Sequence, residues 1–271
     1  MDIASIIGLI MGVLAVVGGA ALEGLHLGSI TQPTAAVIVL GGTLGATILS
    51  FPLKTIIGAS KSFATIFFEP KHNEIGLLDE IITYSSKARK DGLIALESMI
   101  PNVPDKFMQR ALSLAVAGTD PKTMRDIMEI EISQMEDEKD LDARVFECAG
   151  GYAPTIGIIG AVLGLIHVMA KLDNPSEIGG GIAVAFVATV YGVASANLIF
   201  LPIANKLKVK LKNTVILKTM AMEGVMCIVE GWHPRLIEER MLSYFSEKIK
   251  LQIAERTASK KRSATAEKRG P

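Results

Sequence analysis

The fold of this chain is decided by residues 150–170, which read GGYAPTIGIIGAVLGLIHVMA. The stretch contains no Asp, Glu, Lys or Arg. A helix of about 20 apolar residues, rising about 1.5 Å per residue, crosses a hydrocarbon core of about 30 Å. Residues 180–202, 3–22 and 33–51 share this length and this absence of charge. The sequence therefore predicts four membrane-spanning helices.

The composition agrees with a membrane protein. The chain has 271 residues, of which 49% are hydrophobic, and its mean hydropathy is +0.40. Its 28 basic and 28 acidic residues are dense outside the four stretches, as in bilayer segments joined by water-exposed regions. A net charge of zero, without a basic patch interleaved with aromatic residues, excludes a nucleic-acid partner. Membrane lipid is the partner that the spans require.

The basic residues predict the orientation of the spans. Of the 28 lysines and arginines, Lys171 alone lies outside the segments 52–149 and 203–271. Basic residues are retained on the cytoplasmic side, so both segments and both chain ends are predicted to be cytoplasmic. Four lysines follow the fourth span, and we interpret them as its positive-inside anchor. They are Lys206, Lys208, Lys210 and Lys212.

The pattern predicts an all-α protein with four regions. Residues 1–51 hold the first two spans, and residues 52–149 form a large helical insertion between the second and third spans. Residues 150–202 hold the last two spans. Residues 203–271 form a carboxyl-terminal helical region whose basic tail, from about residue 256, is typical of disorder.

Breaker residues divide the insertion. We predict helices over about 75–90 and 105–117, with Gly92 between them. Thr119-Asp120-Pro121 then supplies an N-cap followed by proline at the first helical position. No breaker follows before Gly150, so one long helix is predicted to run from Pro121 into the third span.

A fifth apolar segment, residues 215–230, tests the number of spans. Lys218, Glu223 and Glu230 interrupt it, and the apolar pieces between them are too short to cross a bilayer. We predict an amphipathic helix that packs outside the membrane.

The spans lack the ionisable residue that usually marks an ion path. They contain no Asp, Glu, Lys or Arg, and His167 lies within one turn of the end of the third span, where burial at the interface explains it. If this protein moves ions, the carboxylate that carries them must belong to another chain.

Small residues line one face of each of the last two spans. They are Gly157, Gly160 and Gly164 in the third span, and Gly181, Ala185, Ala188 and Gly192 in the fourth. Such faces admit a neighbouring helix closely. Thr189 adds a hydroxyl that we expect near mid-bilayer. The pattern fits packing between subunits and also fits a role in ion passage.

Two prolines, Pro154 and Pro202, fall near the cytoplasmic ends of their helices. Proline removes a backbone donor and permits a kink. Two kinks at one level would form a hinge between membrane and cytoplasmic parts, but two ordinary helix-end prolines would give the same pattern.

These residues resemble a known family. Residues 151–167 closely resemble the third span of flagellar stator A subunits, the MotA/PomA family. Residues 185–197 and 200–204 are similar to its fourth span, and residues 40–43, LGGT, to its second. The span layout and the large insertion agree with that family over nearly the whole chain.

The resemblance implies a stator subunit that forms, with a B subunit, a proton channel converting ion-motive force into torque on the flagellar rotor. It implies a homopentamer around two copies of a single-span B subunit, which supplies a membrane Asp and anchors to peptidoglycan. It implies neither enzymatic activity nor a cofactor. A partner carboxylate agrees with the lack of one in these spans.

The resemblance implies a location in the bacterial inner membrane, with residues 52–149 interacting with the rotor and residues 150–202 forming the ion path. It also assigns roles to single residues. In the family an Arg and a Glu eight residues apart contact the rotor switch protein, and Arg89 and Glu97 reproduce that spacing. The two functional prolines correspond to Pro154 and Pro202, which implies a part in conformational coupling. The threonine beside the ion path in the fourth span corresponds to Thr189.

Two alanines favour the proton as coupling ion. Sodium-type members carry a threonine at the position of Ala161 and often another at that of Ala188. Sodium needs several oxygen ligands in place of its water shell, whereas a proton needs a carboxylate and a water path. We predict proton coupling rather than sodium coupling, with Thr189, Ala161 and Thr155 along the ion path.

Three other functions are weaker. The ExbB/TolQ-type energisers of outer-membrane processes generally have three spans, and they lack the spacing of Arg89 and Glu97. A membrane enzyme would need a nucleophile–base pair, a metal cluster or a phosphate loop, and none is evident. A passive scaffold predicts the same topology but leaves Thr189 and the paired prolines unexplained.

Overall fold

The computed structural model describes residues 2–68, 74–173 and 175–256, and these residues form helices and turns without strands. Four helices are long and apolar enough to cross a membrane, which confirms the predicted all-α, four-span architecture. The chain divides into two compact units. We call residues 1–70 and 137–211 the membrane unit, and residues 71–136 and 212–271 the extramembrane unit.

The first half of the membrane unit contains four helices: α1 (Ile3–Leu22), α2 (Leu27–Ile30), α3 (Pro33–Ser50) and α4 (Leu53–Thr65). Asp2 caps α1 by accepting a hydrogen bond from the Ser5 N–H at 3.2 Å. The helix α3 ends at Ser50, and the next residue, Phe51, has an extended backbone. Phe51 precedes Pro52, and a residue before proline is disfavoured in the helical conformation. A π-helical segment, Val37–Gly41, lies inside α3.

The extramembrane unit begins with α5 (Glu74–Asp91) and α6 (Lys106–Val116). Between them Gly92 has a φ of +84°. This backbone conformation ends α5, and glycine adopts it without strain. Short 3₁₀ turns follow at Leu93–Leu96 and Ile100–Asn102. The predicted helices and the break at Gly92 are confirmed to within about two residues.

The helix α7 (Pro121–Met169) is continuous over 49 residues, as predicted. Its amino end is capped by Asp120, whose carboxylate accepts hydrogen bonds from the N–H groups of Lys122 at 3.0 Å and Thr123 at 3.2 Å. Pro121 occupies the first helical position, where its missing donor costs nothing.

The fourth span also continues beyond the predicted boundary. The helix α8 (Pro175–Ser195) passes through a π-helical segment, Ala196–Phe200, into α9 (Leu201–Val229). The chain ends its described part with α10 (Pro234–Leu242) and helical residues 247–256. The tail beyond residue 256, predicted to be disordered, lies outside the described residues.

The core of the extramembrane unit is rich in methionine and includes the end of α9. Residues 220–228 are all buried, so this segment packs in a helical core outside the spans, as predicted. The prediction of an amphipathic helix is wrong for these residues, because other helices surround them on every side and even Glu223 is buried. The buried methionines of this core are Met108, Met124, Met128, Met220, Met222, Met226 and Met241.

Candidate functional site

The small-residue faces of α7 and α8 pack against each other within one chain. A Cβ added at Gly192 would lie 2.5 Å from the carbonyl oxygen of Ala153, and one added at Gly157 would lie 2.9 Å from that of Ala188. Only glycine allows backbones to approach so closely. The small residues therefore join the third span to the fourth within one chain, and their packing between subunits stays a prediction.

Thr189 lies beside this contact and is exposed on the single chain. Its hydroxyl donates to the carbonyl oxygen of Ala185 at 3.2 Å, and the hydroxyl still has lone pairs that can accept a hydrogen bond. Thr155, on α7, is also exposed, and its hydroxyl donates to the carbonyl oxygen of Tyr152 at 2.8 Å. Both threonines present oxygen atoms that a further helix or water can reach.

The two alanines that bear on the coupling ion differ in their surroundings. Ala161 is half-buried. Ala188 is fully buried, and a Cβ added at Gly160 would lie only 2.7 Å from the Cβ of Ala188. A side chain at position 188 therefore faces the third span, so the argument against sodium depends mainly on Ala161.

Tyr191 makes a contact that no sequence pattern predicted. Its hydroxyl donates to the carbonyl oxygen of Ile30 at 2.7 Å and accepts from the N–H of Gln32 at 3.3 Å. Ala35 and Val39 of α3 pack against α8 beside it. An aromatic hydroxyl in a stretch of small residues was the available signal, because a buried tyrosine needs a polar partner.

Pro154 and Pro202 both lie inside continuous helices. Pro202 lies two residues beyond the end of the π-helical segment Ala196–Phe200. Because Pro202 has no N–H, the carbonyl of Leu198, four residues earlier, loses its usual donor, and a π turn accommodates that loss. The sequence pattern of prolines did not reveal this segment or the one inside α3.

Arg89 and Glu97 are both exposed on the extramembrane unit. Arg89 lies in the last turn of α5, and Glu97 follows the 3₁₀ turn beyond Gly92. Nearby, Lys87 and Asp91 form an ion pair of 2.5 Å. Among the described residues neither Arg89 nor Glu97 has a side-chain partner, so both charges are available to another protein.

Glu223 is the buried charged residue among the described residues of the extramembrane unit, and in the sequence it was interpreted only as an interruption of an apolar segment. Its carboxylate contacts Arg125 and Arg240. Burial would raise the pKa of Glu223, but the hydrogen bonds from the two arginines outweigh it and hold the pKa below its ordinary value. Arg125 is 98 positions from Glu223 in the sequence and Arg240 is 17 positions from it, so no local pattern identified the site.

The described residues contain no group of three His, Cys, Asp or Glu side chains that could hold a metal ion. Cys148 and Cys227 are free thiols, and burial raises the pKa of Cys227.

Two family models match this chain. The model described as the MotA/TolQ/ExbB proton channel family matches residues 99–220, and the model described as motility protein A N-terminal matches residues 6–92. The second match favours a motility protein A over an ExbB/TolQ-type protein. Motility protein A of Bacillus subtilis is 39% identical over 256 residues, which cover 94% of this chain and 95% of that protein.

Two solved structures have the same fold. A flagellar MotAB stator complex from Bacillus subtilis superposes with a TM-score of 0.86 at 38% identity, covering 92% of this chain and 98% of that chain. MotAB of C. jejuni gives a TM-score of 0.87 at 30% identity, covering 91% and 97%. The chain therefore belongs to the motility protein A family of flagellar stator subunits, within the MotA/TolQ/ExbB proton channel proteins.

Proposed function

We propose that this chain works as the A subunit of a proton-driven flagellar stator whose carrier carboxylate comes from a single-span B subunit. The observation that carries the proposal is the lack of Asp, Glu, Lys and Arg in all four spans of a proton channel family member. A proton path through a membrane protein usually contains an ionisable side chain. The solved relatives are MotAB complexes, which supports a second subunit as its source.

The proposed assembly is a pentamer around two B subunits. The surface of the single chain supports further packing of its spans. No residue of α1 is buried, and Ile166 of α7 and Phe186 of α8 are strongly exposed. Lipid, other copies of the chain and the B subunit would share these apolar surfaces.

Thr189 and Thr155 are proposed to face the ion path. Both hydroxyls are exposed on the single chain and remain able to accept a hydrogen bond from water or from the protonated carboxyl of the B subunit. The neighbouring Ala161 offers no oxygen ligand. Proton coupling therefore remains favoured over sodium coupling.

Pro154 and Pro202 are proposed to let the spans change their angle as the carboxyl group gains and loses its proton. The π-helical segment ahead of Pro202 supports this role, because π turns interrupt the regular hydrogen bonding of a helix and often occur at functional sites.

Arg89 and Glu97 are proposed to contact the rotor switch protein. Their exposure and the lack of a side-chain partner among the described residues support the proposal. The contact would lie in the cytoplasm, with both chain ends, on the side to which the distribution of basic residues assigns them. No enzymatic step is part of this function.

Ion flux in proteoliposomes tests the proposal. We expect this chain alone to conduct no protons, and a plug-free complex with the B subunit to conduct them. Replacing the membrane Asp of the B subunit with Asn is expected to stop the flux. Replacing sodium with potassium at fixed pH is expected to leave flux and swimming speed unchanged. Conduction by this chain alone would contradict the proposal, and a need for sodium would contradict proton coupling.

A further inference from the structure

Lys210 caps the carboxyl end of α4. Its Nζ donates to the carbonyl oxygens of Thr65, Ile66 and Phe68 at 2.6, 3.2 and 2.7 Å. The last carbonyls of a helix have no partner within it, and a cation there also meets the negative end of the helix dipole. A lysine ammonium has three N–H donors, so three carbonyl acceptors match its capacity.

Lys206, one turn earlier on α9, forms an ion pair at the amino end of α1. Its Nζ lies 2.5 Å from Oδ2 of Asp2, the residue that caps α1. The N–H of Asp2 donates to the carbonyl oxygen of Phe67 at 2.9 Å. The Lys206 hydrogen bond, with help from Ser5 and against the effect of burial, keeps the pKa of Asp2 below its ordinary value. The carboxylate is therefore ionised at neutral pH.

We infer that Lys206 and Lys210 are positioning residues that fasten the start of the first span and the end of α4 to the fourth-span helix, directly beyond Pro202. We call the hydrogen bonds of these two lysines to Asp2 and to residues 65–68 the basal contact. Lys206 and Lys210 are four residues apart and so share one face of α9. A change in the angle of α9 at Pro202 then moves α1 and α4 with it.

The middle of α4 is held in a separate way. The Ser62 hydroxyl donates to Oδ2 of Asp142 in α7 at 2.6 Å, and a Cβ added at Gly58 would lie 2.9 Å from Oδ1 of the same residue. Asp142 is buried. The centre of α4 therefore contacts the third-span helix α7, and the end of α4 contacts the fourth-span helix α9. A movement of α7 relative to α9 would change at least one of these contacts.

The basal contact differs from a lipid anchor. A lysine that anchors a span by charge alone extends its ammonium toward headgroups and water. Lys206 and Lys210 are instead half-buried, and they direct their donors at protein oxygens. Lys212 is exposed and has no side-chain partner among the described residues, so it provides a matched control on the same helix.

Amide hydrogen exchange of the full chain, purified with its B subunit, tests the contact. Lys210→Met keeps the length of the side chain and removes its donors, whereas Lys210→Arg keeps both charge and donors. We expect residues 60–68 to exchange about tenfold faster in Lys210→Met, as expected for lost hydrogen bonds to a charged group. Exchange in Lys210→Arg and in Lys212→Met is expected to stay close to that of the unmodified chain.

Asp2 and Lys206 can be tested as a pair. Asp2→Asn and Lys206→Met are each expected to speed exchange at the amino end of α1. The double variant is expected to add little to either single change, because both remove the same contact. Effects that simply add would show that the two side chains do not act on each other.

The effect on the motor rests on the proposed function and has its own measurement. Torque per assembled stator is expected to fall at least about twofold in Lys210→Met, while membrane abundance and the proton leak of the plug-free complex are retained. A residue that merely stabilises the fold would lower abundance, leak and torque together, and that result would overturn the positioning role.

Two further outcomes separate the inference from the proposed function. Unchanged exchange at residues 60–68 in Lys210→Met would overturn the basal contact, whatever the motor does. Equal exchange effects in Lys210→Met and Lys212→Met would identify a lipid anchor instead. A complex of unmodified chains that conducts no protons would overturn the proposed function and leave the exchange result standing.

Discussion

Arg240 donates two hydrogen bonds to one carboxylate oxygen of Glu223, from Nε at 3.2 Å and from Nη2 at 2.7 Å. The other oxygen accepts from Arg125. The side chain of Glu223 is 9% exposed, so its charge depends on these two arginines rather than on water. Segments from α7, α9 and α10 therefore meet at one carboxylate in the core of the extramembrane unit.

Neutralising this carboxylate is expected to weaken the extramembrane unit. Removing one partner of a buried ion pair costs about 3–5 kcal/mol when the remaining charge stays buried. Here the arginine side chains are 34% and 44% exposed and can be hydrated, so we expect about 1–3 kcal/mol for Glu223→Gln. Thermal unfolding of the purified complex measures the loss. Glu239→Gln, an exposed change on α10, is the control, and an equal effect of both would contradict the prediction.

The same site predicts a dependence on pH. The pKa of Glu223 in the folded chain is below its ordinary value of 4.5, so its contribution to stability is present above about pH 4.5. That contribution is lost as the pH falls from there through the lowered pKa. The difference in stability between the unmodified chain and Glu223→Gln is therefore expected to be constant near neutral pH and to shrink below pH 4.5. A difference that grows on acidification would be inconsistent with the site.

Charge reversal tests the rotor contact. Exposed ion pairs contribute about 0.2–1 kcal/mol each, so neutralising Arg89 or Glu97 alone is expected to reduce torque without abolishing it. Arg89→Glu combined with Glu97→Arg is expected to cost far more, and matching reversals on the rotor switch protein are expected to restore rotation.

The control exchanges the charges of Lys87 and Asp91, which pair with each other in the same turn of α5. Lys87→Asp combined with Asp91→Lys keeps their ion pair, and we expect nearly normal swimming. Assembly of the stator, measured as membrane abundance, is expected to be normal in every variant. Normal torque in the Arg89/Glu97 double reversal would leave the two as ordinary surface charges.

Thr189 distinguishes a channel from a scaffold. Thr189→Val keeps the shape of the side chain and removes its hydroxyl, whereas Thr189→Ser keeps the hydroxyl and removes a methyl group. If the hydroxyl serves ion passage, Val stops rotation and proton leak in an assembled plug-free complex, and Ser retains much of both. Full proton leak with Val would rule out the role, and a larger defect with Ser would indicate packing.

Orientation is tested by cysteine labelling from outside intact cells, in a chain whose Cys148 and Cys227 are replaced. Gly28→Cys is expected to react with an impermeant thiol reagent, and Ile100→Cys is expected to react only after permeabilisation. The physical basis is the confinement of nearly all basic residues to segments 52–149 and 203–271. The opposite labelling pattern would reverse the topology.

Much of the architecture could be predicted because its causes are local. Charge-free stretches of bilayer length predicted the four spans, and Asp120 with Pro121 predicted the start of α7, since a cap depends on adjacent residues. Arg89 and Glu97 were assigned through the resemblance, whose spacing they reproduce, and their role stays a prediction.

The remaining features depend on contacts between distant parts of the chain. Arg125 meets Glu223 from 98 positions away, and Lys210 meets Phe68 from 142, so neither pair leaves a periodic signal. The lysines after the fourth span had an adequate explanation in the positive-inside rule, which concealed their hydrogen bonds to protein. The π-helical segments lie inside long helices, and helix propensity does not reveal them.

The π-helical segment Ala196–Phe200 also fixes the rotational register of everything that follows it. A π turn holds about one residue more than an α turn, so it absorbs one residue without shifting the helix beyond it. A one-residue deletion inside the segment would return it to ordinary α-helix and leave Lys206 opposite Asp2, whereas the same deletion between Leu201 and Lys206 would turn both lysines by about 100° and move them by about 1.5 Å. Lys206 would then leave Asp2, and Lys210 would leave the end of α4. A change of one residue in length is therefore expected to be accepted within Ala196–Phe200 and rejected directly after it.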